Sequence, residues 1–173
     1  MKTLLTRQAS VKLYIFAIVL GIVSALLAPT NTLISVYSSH WTTLIPQSAL
    51  LCALLFYNTV NRPIYGLVAV RGKEFNVFLA LGMVGIITTV GYYFALTLTY
   101  IMGGASLGPA TALSGLLLVW GSRLLLLIII ALLAAMTFLV ARSLGLIIVI
   151  IGLNFLYHYW IEMFVILPRI IGG

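Results

Sequence analysis

At 173 residues, 64% hydrophobic and 6% charged, the chain lies far from a soluble domain, in which about a quarter of the residues are charged. Its net charge of +7 sets nine basic residues against two acidic ones, and the basic residues are scattered between apolar runs rather than gathered into a stripe with interleaved aromatics, which argues against nucleic-acid binding. The single cysteine, Cys52, excludes an internal disulfide and any CxxC metal or redox motif; inside an apolar run, it is expected to be a small packed side chain.

The apolar residues come in runs too long for a globular core. A bilayer core of roughly 30 Å takes about 20 apolar residues as a helix. A transmembrane β-barrel would alternate apolar and polar positions, and stretches such as Leu124 to Val140 are apolar all round. Helices satisfy their own backbone groups in lipid. The expected fold is therefore all-α: a polytopic transmembrane helical bundle of about five spans, with residues 1–173 as one domain.

The first span is expected at about 11–28. Lys2, Arg7 and Lys12 precede or open it, which by the positive-inside rule puts the N-terminus in the cytoplasm. Leu26-Leu27-Ala28 is a poor cleavage site, so the segment reads as a retained helix. Pro29 to Thr43 holds Tyr37 and Trp41 and no Lys, Arg, Asp or Glu, as suits an outer loop with interfacial aromatics. The second span is expected at about 44–60. The loop from Asn61 to Asn76, with Arg62, Arg71, Lys73 and Glu74, returns to the cytoplasm. The third span is expected at about 77–102, and the glycines and proline of Gly103 to Pro109 break helix.

Ala110 to Arg142 is long for one span and short for two. An arginine at the centre of a span costs on the order of 3 kcal/mol. The preferred reading makes Ala110 to Gly121 a short outer, re-entrant piece. Arg123 then reaches up to the outer surface, and the fourth span runs at about 124–141. The fifth span is expected at about 144–167. The alternative makes Ala110 to Ser122 a span of its own, for six in all.

In lipid, helices associate where small residues let backbones approach. Ala17, Gly21 and Ala25 lie four apart on one face of the first span, so they form a candidate packing face toward another helix. Gly82, Gly85, Gly91 and Ala95 offer similar contacts on the third. Phe155, Tyr157, Tyr159 and Trp160 read as an interfacial aromatic belt.

Catalytic signatures are missing: the sequence has no HExxH, GxSxG or Walker A motif, and no carboxylate pair, since Glu74 and Glu162 are its only acidic residues. The chain is not expected to be an enzyme or to carry a cofactor or metal, and any ATP hydrolysis belongs to another polypeptide. Two polar constellations stand out. His158 and Glu162 share one face of the fifth span. With Asn154 they form a candidate intramembrane polar site, although Glu162 lies close enough to Pro168 to reach the outer headgroups instead. The other is the inner loop, where Tyr65, Leu67, Val70, Arg71, Lys73 and Phe75 mix apolar with basic side chains. Such a loop can anchor on anionic lipid or dock into a groove on a cytoplasmic ATPase.

At this loop the sequence resembles the membrane permeases of ATP-binding-cassette exporters, the class that moves antimicrobial peptides, drugs and polysaccharides. Tyr65, Gly66, Arg71, Lys73 and Phe75 carry the resemblance. So does the tight turn Ala141-Arg142-Ser143-Leu144-Gly145 before an Ile/Val-rich span. The resemblance implies a permease subunit in the plasma membrane, in a hetero-oligomer with a second membrane subunit and cytoplasmic ATPase subunits. Arg71, Lys73 and the apolar loop residues would couple ATPase movement to the spans. Two alternatives stand beside it. One is the substrate-binding membrane subunit of an energy-coupling-factor vitamin importer, which also has this length and a small-residue face on span one. The other is a non-transporting scaffold or immunity subunit.

Overall fold

In a computed structural model, the chain is described over residues 2–28, 43–61, 74–104, 113–140 and 143–166, with single positions 39, 72 and 168; side-chain surroundings are described except at 2–9, 61 and 113–116. Every regular element among these residues is a helix. They are α1 (Lys2–Leu26), α2 (Ile45–Asn61), α3 (Glu74–Met102), α4 (Leu113–Met136) and α5 (Leu144–Leu156), the last continuing as a π-helix over Tyr157–Ile166. Three stretches are long and apolar enough to cross a membrane: Glu74–Met102, Leu117–Met136 and Leu144–Ile166. Ser10–Leu26 and Ile45–Val60 are shorter apolar helices.

The helices alternate in direction, as two core clusters reveal. At one end Leu13 of α1 packs with Leu54 of α2, Leu81 of α3, Ala135 of α4 and Ile150 of α5. At the other, Ala25 packs with Leu50, Leu96, Val119 and Ile166 of the same five helices. The start of α1 and the α2–α3 and α4–α5 connections therefore share one end. The outward faces are as apolar as the inward ones. On α1, Val11, Ile15, Phe16, Ile18, Val19, Ile22 and Val23 are exposed, which reverses the polar-outside pattern of a soluble helix.

Close backbone approach holds α3 between two neighbours. On one side Gly21 of α1 meets the Tyr92 carbonyl and Leu96 amide; on the other, Gly82 and Gly85 sit against Leu132 and Ala131 of α4. Gly91 has open space around it, so it is not part of either contact. Trp120 of α4 adds a tilted ring contact to Tyr93 at 5.5 Å and donates from Nε1 to Thr97 Oγ1 at 3.3 Å. Gly104, at φ +82°, ends α3 in the left-handed conformation that glycine adopts without strain.

The α4 terminus is fixed from α2. The chain tightens into successive turns from Thr137 to Leu139. The Ala134 carbonyl accepts from the Thr137 hydroxyl at 2.6 Å and from Asn58 Nδ2 at 2.8 Å. Buried Asn58 thus ties α2 to a carbonyl that the Thr137 amide and hydroxyl of the tightened α4 end also share.

Two sequence expectations need correction here. Helix α4 runs unbroken through Gly121, Ser122 and Arg123, so neither a re-entrant piece ending at Gly121 nor a separate span ending at Ser122 is present. A stretch with high helix propensity and no proline has nothing to stop it there. Cys52 is exposed on the outer face of α2 rather than packed. The helix turns Leu51, Leu54 and Leu55 inward, which leaves position 52 pointing out.

Candidate buried charge site

The bundle encloses an ion cluster built from α4 and the π-helical continuation of α5. Arg123 Nη2 lies 2.6 Å from Glu162 Oε2. His158 Nδ1 lies 2.7 Å from the same oxygen and 2.9 Å from Arg123 Nη2. All three side chains are fully buried. Tyr157 flanks them: its ring centroid is 5.8 Å from the Arg123 guanidinium carbon, and its hydroxyl is 2.5 Å from Ser122 Oγ.

Helical spacing explains the assembly. His158 and Glu162 project from one side of the same helix, and Ser122 and Arg123 are consecutive on α4, where they meet Tyr157 and the ion pair. The backbone here is π-helical, a geometry found frequently at functional sites. The contacts at His158 Nδ1 are exclusive in protonation. With a proton on Nδ1, the ring donates to Glu162 and turns an N–H toward the guanidinium. Without one, Nδ1 accepts from Arg123 and faces the carboxylate with a lone pair. The position of one proton therefore decides which of the two partners the imidazole binds.

The energetics are severe. Removing a carboxylate and a guanidinium from water carries an effective penalty of several kcal/mol per ion, and mutual attraction offsets it only with close, well-directed contacts. Arg123 and Glu162 have such a contact. Glu162 uses one oxygen for both neighbours, and its Oε1 has no partner among the described residues.

A second polar group adjoins the cluster. Asn154, on the same α5 face, donates from Nδ2 to Ser48 Oγ of α2 at 3.3 Å, and its Oδ1 has no partner among the described residues. Gln47, beside Ser48, is fully buried with neither amide atom hydrogen-bonded. Among the described residues no group of three or more His, Cys, Asp or Glu side chains could hold a metal ion.

The residues singled out in sequence fall as follows. His158 and Glu162 meet, while Asn154 turns to α2. Arg123 does not reach the surface: it and Glu162 are both fully buried within the bundle and pair with each other. Ala17, Gly21 and Ala25 are buried, with Gly21 against α3 of the same chain. The aromatic group divides: Phe155, Tyr159 and Trp160 are exposed, and Tyr157 is turned inward. Of the coupling-loop residues, Tyr65, Leu67, Val70, Arg71 and Lys73 lie outside the described residues. Phe75 is exposed on the first turn of α3, its ring 6.3 Å from that of Phe78. Arg123, Gln47 and Asn58 were not recognised as site or interface residues from sequence. The signal for Gln47 and Asn58 is their position eleven residues apart, three turns on one face of a largely apolar helix.

Comparison of the chain with known protein families, with curated proteins and with solved structures gives no match.

Proposed function

We propose that the chain is a multi-pass subunit of the plasma membrane, the permease of an ATP-binding-cassette exporter, working with a second membrane subunit and cytoplasmic ATPase subunits. The N-terminus is cytoplasmic in this reading. Lys2, Arg7, Lys12, Arg62, Arg71, Lys73 and Arg142 lie in the sequence segments that open or join helices at one end of the bundle. That distribution matches the positive-inside rule.

The observation that carries the reading is the position of α3. This 29-residue helix, about 43 Å long, begins directly after the mixed apolar and basic segment and packs closely on both α1 and α4. A displacement applied at its Glu74 end travels along a rigid rod into both neighbours, and through α4 to Arg123. A chain without a nucleotide-binding motif needs such a mechanical input from an ATPase.

Purification in mild detergent from the native host, with identification of co-eluting proteins, tests this. A nucleotide-binding subunit present in stoichiometric amount is the expected result. A pure homogeneous chain with no ATPase, from cells in which it is expressed at its native level, would favour the scaffold or immunity role.

A further inference from the structure

The buried positions of α5 and its π-helical continuation recur at a strict interval. Ile150, Asn154, His158, Glu162 and Ile166 are all buried, each four residues from the next. An α-helix turns once in 3.6 residues, so a four-residue stripe gains about 40° per step and would drift about 160° from Ile150 to Ile166. Such a stripe would leave the bundle before it ended. An i→i+5 ladder is wider, at about 4.4 residues per turn, so each four-residue step falls short of a full turn by about 33°. The advance made along Leu144–Leu156 is therefore undone along Tyr157–Ile166. Ile166 still joins the core cluster of Ala25, Leu96 and Val119.

Two flanking residues show that exposure follows the wide register. Val165 lies seven residues (165 − 158) after His158, which is about two α-turns and would set it over His158 on the inner face. In the π-ladder seven residues make about 1.6 turns, and Val165 is turned out, 39% exposed. Met163 lies five residues (163 − 158) after His158. In an α-helix it would be turned away, at about 1.4 turns. At about 1.1 turns of π-helix it stays near the inner face, and it is half-buried.

The π-helix is mostly found as a single-turn bulge, whereas this one runs for ten residues. Contacts outside the helix must select it. Those described above run to α4: Tyr157 to Ser122, and His158 and Glu162 to Arg123. In a continued α-helix Glu162, eight residues (162 − 154) after Asn154, would stand about 80° round from it. The ion pair holds Glu162 back on the inner face, which the wide register permits.

We propose that Tyr157–Ile166 is a two-register element, held wide by the Arg123–Glu162 contact and tightening to an α-helix when α4 draws away from α5. The change exchanges Met163 for Val165 on the inner face. It also swings Ile166 through about 145° relative to His158, the difference between the two helices over eight residues. The device uses α4 and α5 alone and needs no ATPase, so it and the permease reading stand or fall separately.

Spin labels on single cysteines test it, in the full chain carrying Cys52→Ser in phosphatidylcholine vesicles. Met163→Cys and Val165→Cys are the reporters. Trp160→Cys, about half a turn from His158 in either register, is the lipid-facing reference. Collision with oxygen dissolved in the bilayer should be more frequent at 165 than at 163 in the otherwise native chain. Arg123→Met with Glu162→Met should invert that order while 160 stays unchanged. If the double variant does not fold, Glu162→Gln, which keeps the size of the side chain, takes its place with the same expectation. Collision at 163 equal to or above that at 165 in the otherwise native chain would overturn the proposal. So would an order that is unchanged in the folded variant.

Discussion

Gly21 of α1 faces the backbone carbonyl of Tyr92 of α3 so closely that a Cβ added at position 21 would stand 2.5 Å from that oxygen. The same Cβ would be 3.0 Å from the Leu96 amide nitrogen and 3.0 Å from the Ala95 Cβ. Two of these neighbours are backbone, so the helices themselves must separate. Gly21→Ala should cost about 1–3 kcal/mol, the range for overpacking. Gly91→Ala, with open space around it, should be neutral or gain up to about 1 kcal/mol from helix propensity. Unfolding of the purified variants in mixed detergent micelles reads both. Equal effects at the two positions would remove the close-approach account.

The ion pair makes a prediction through a double-mutant cycle. Arg123→Met alone and Glu162→Met alone each strip one side of the buried pair, and each should destabilise by about 3–5 kcal/mol. The combination Arg123→Met with Glu162→Met replaces both charges by apolar groups. It should recover most of the loss, because neither leaves an unpaired charge. Strict additivity would mean that the two residues do not stabilise each other.

Asn58→Leu should destabilise by about 1–2 kcal/mol, since it removes a buried donor from the Ala134 carbonyl. The loss is moderated because the Thr137 hydroxyl and amide still reach that carbonyl. Adding Thr137→Val should therefore cost more in the Asn58→Leu background than alone, measured by the same unfolding assay.

What could be read in the sequence follows from the physics that generates each signal. Helix positions were legible because runs of twenty apolar residues have few alternatives, and the expected third and fifth spans nearly coincide with α3 and Leu144–Ile166. The Ala17, Gly21, Ala25 face was legible because four-residue spacing repeats on a helix. Arg123 was misread because a lone arginine in an apolar run is most cheaply imagined at the surface. Its partner lies 39 residues away (162 − 123) on another helix, and local periodicity carries no information about that pairing. The arithmetic of charge did: with only two acidic residues in the chain, an arginine inside an apolar run has few partners to choose from. Cys52 was misassigned because an apolar run is apolar on both faces, so hydrophobicity alone does not say which residues turn inward.

The last prediction concerns the segment before α3. If it docks on a cytoplasmic ATPase, apolar and basic positions must both matter, because burying an apolar side chain in a groove supplies about 1.5–3 kcal/mol. An anchor on anionic lipid would need Arg71 and Lys73, worth about 1 kcal/mol each, and would be indifferent to Leu67. Phe75 extends the argument onto described ground. It is 68% exposed at the first turn of α3, the helix that packs closely on both α1 and α4 and that the proposed reading makes the coupling element. Leu67→Asp, Lys73→Ala and Phe75→Ala are compared for the amount of co-purifying ATPase and for stimulated ATP hydrolysis in reconstituted membranes. Docking predicts loss of both readouts in Leu67→Asp and a drop in stimulation for Phe75→Ala, with the protein still inserted. If Leu67→Asp behaves as wild type while Lys73→Ala alone weakens membrane association, the segment is a lipid anchor. Coupling through α3 then has no input, and the scaffold or immunity role becomes the better account of the chain.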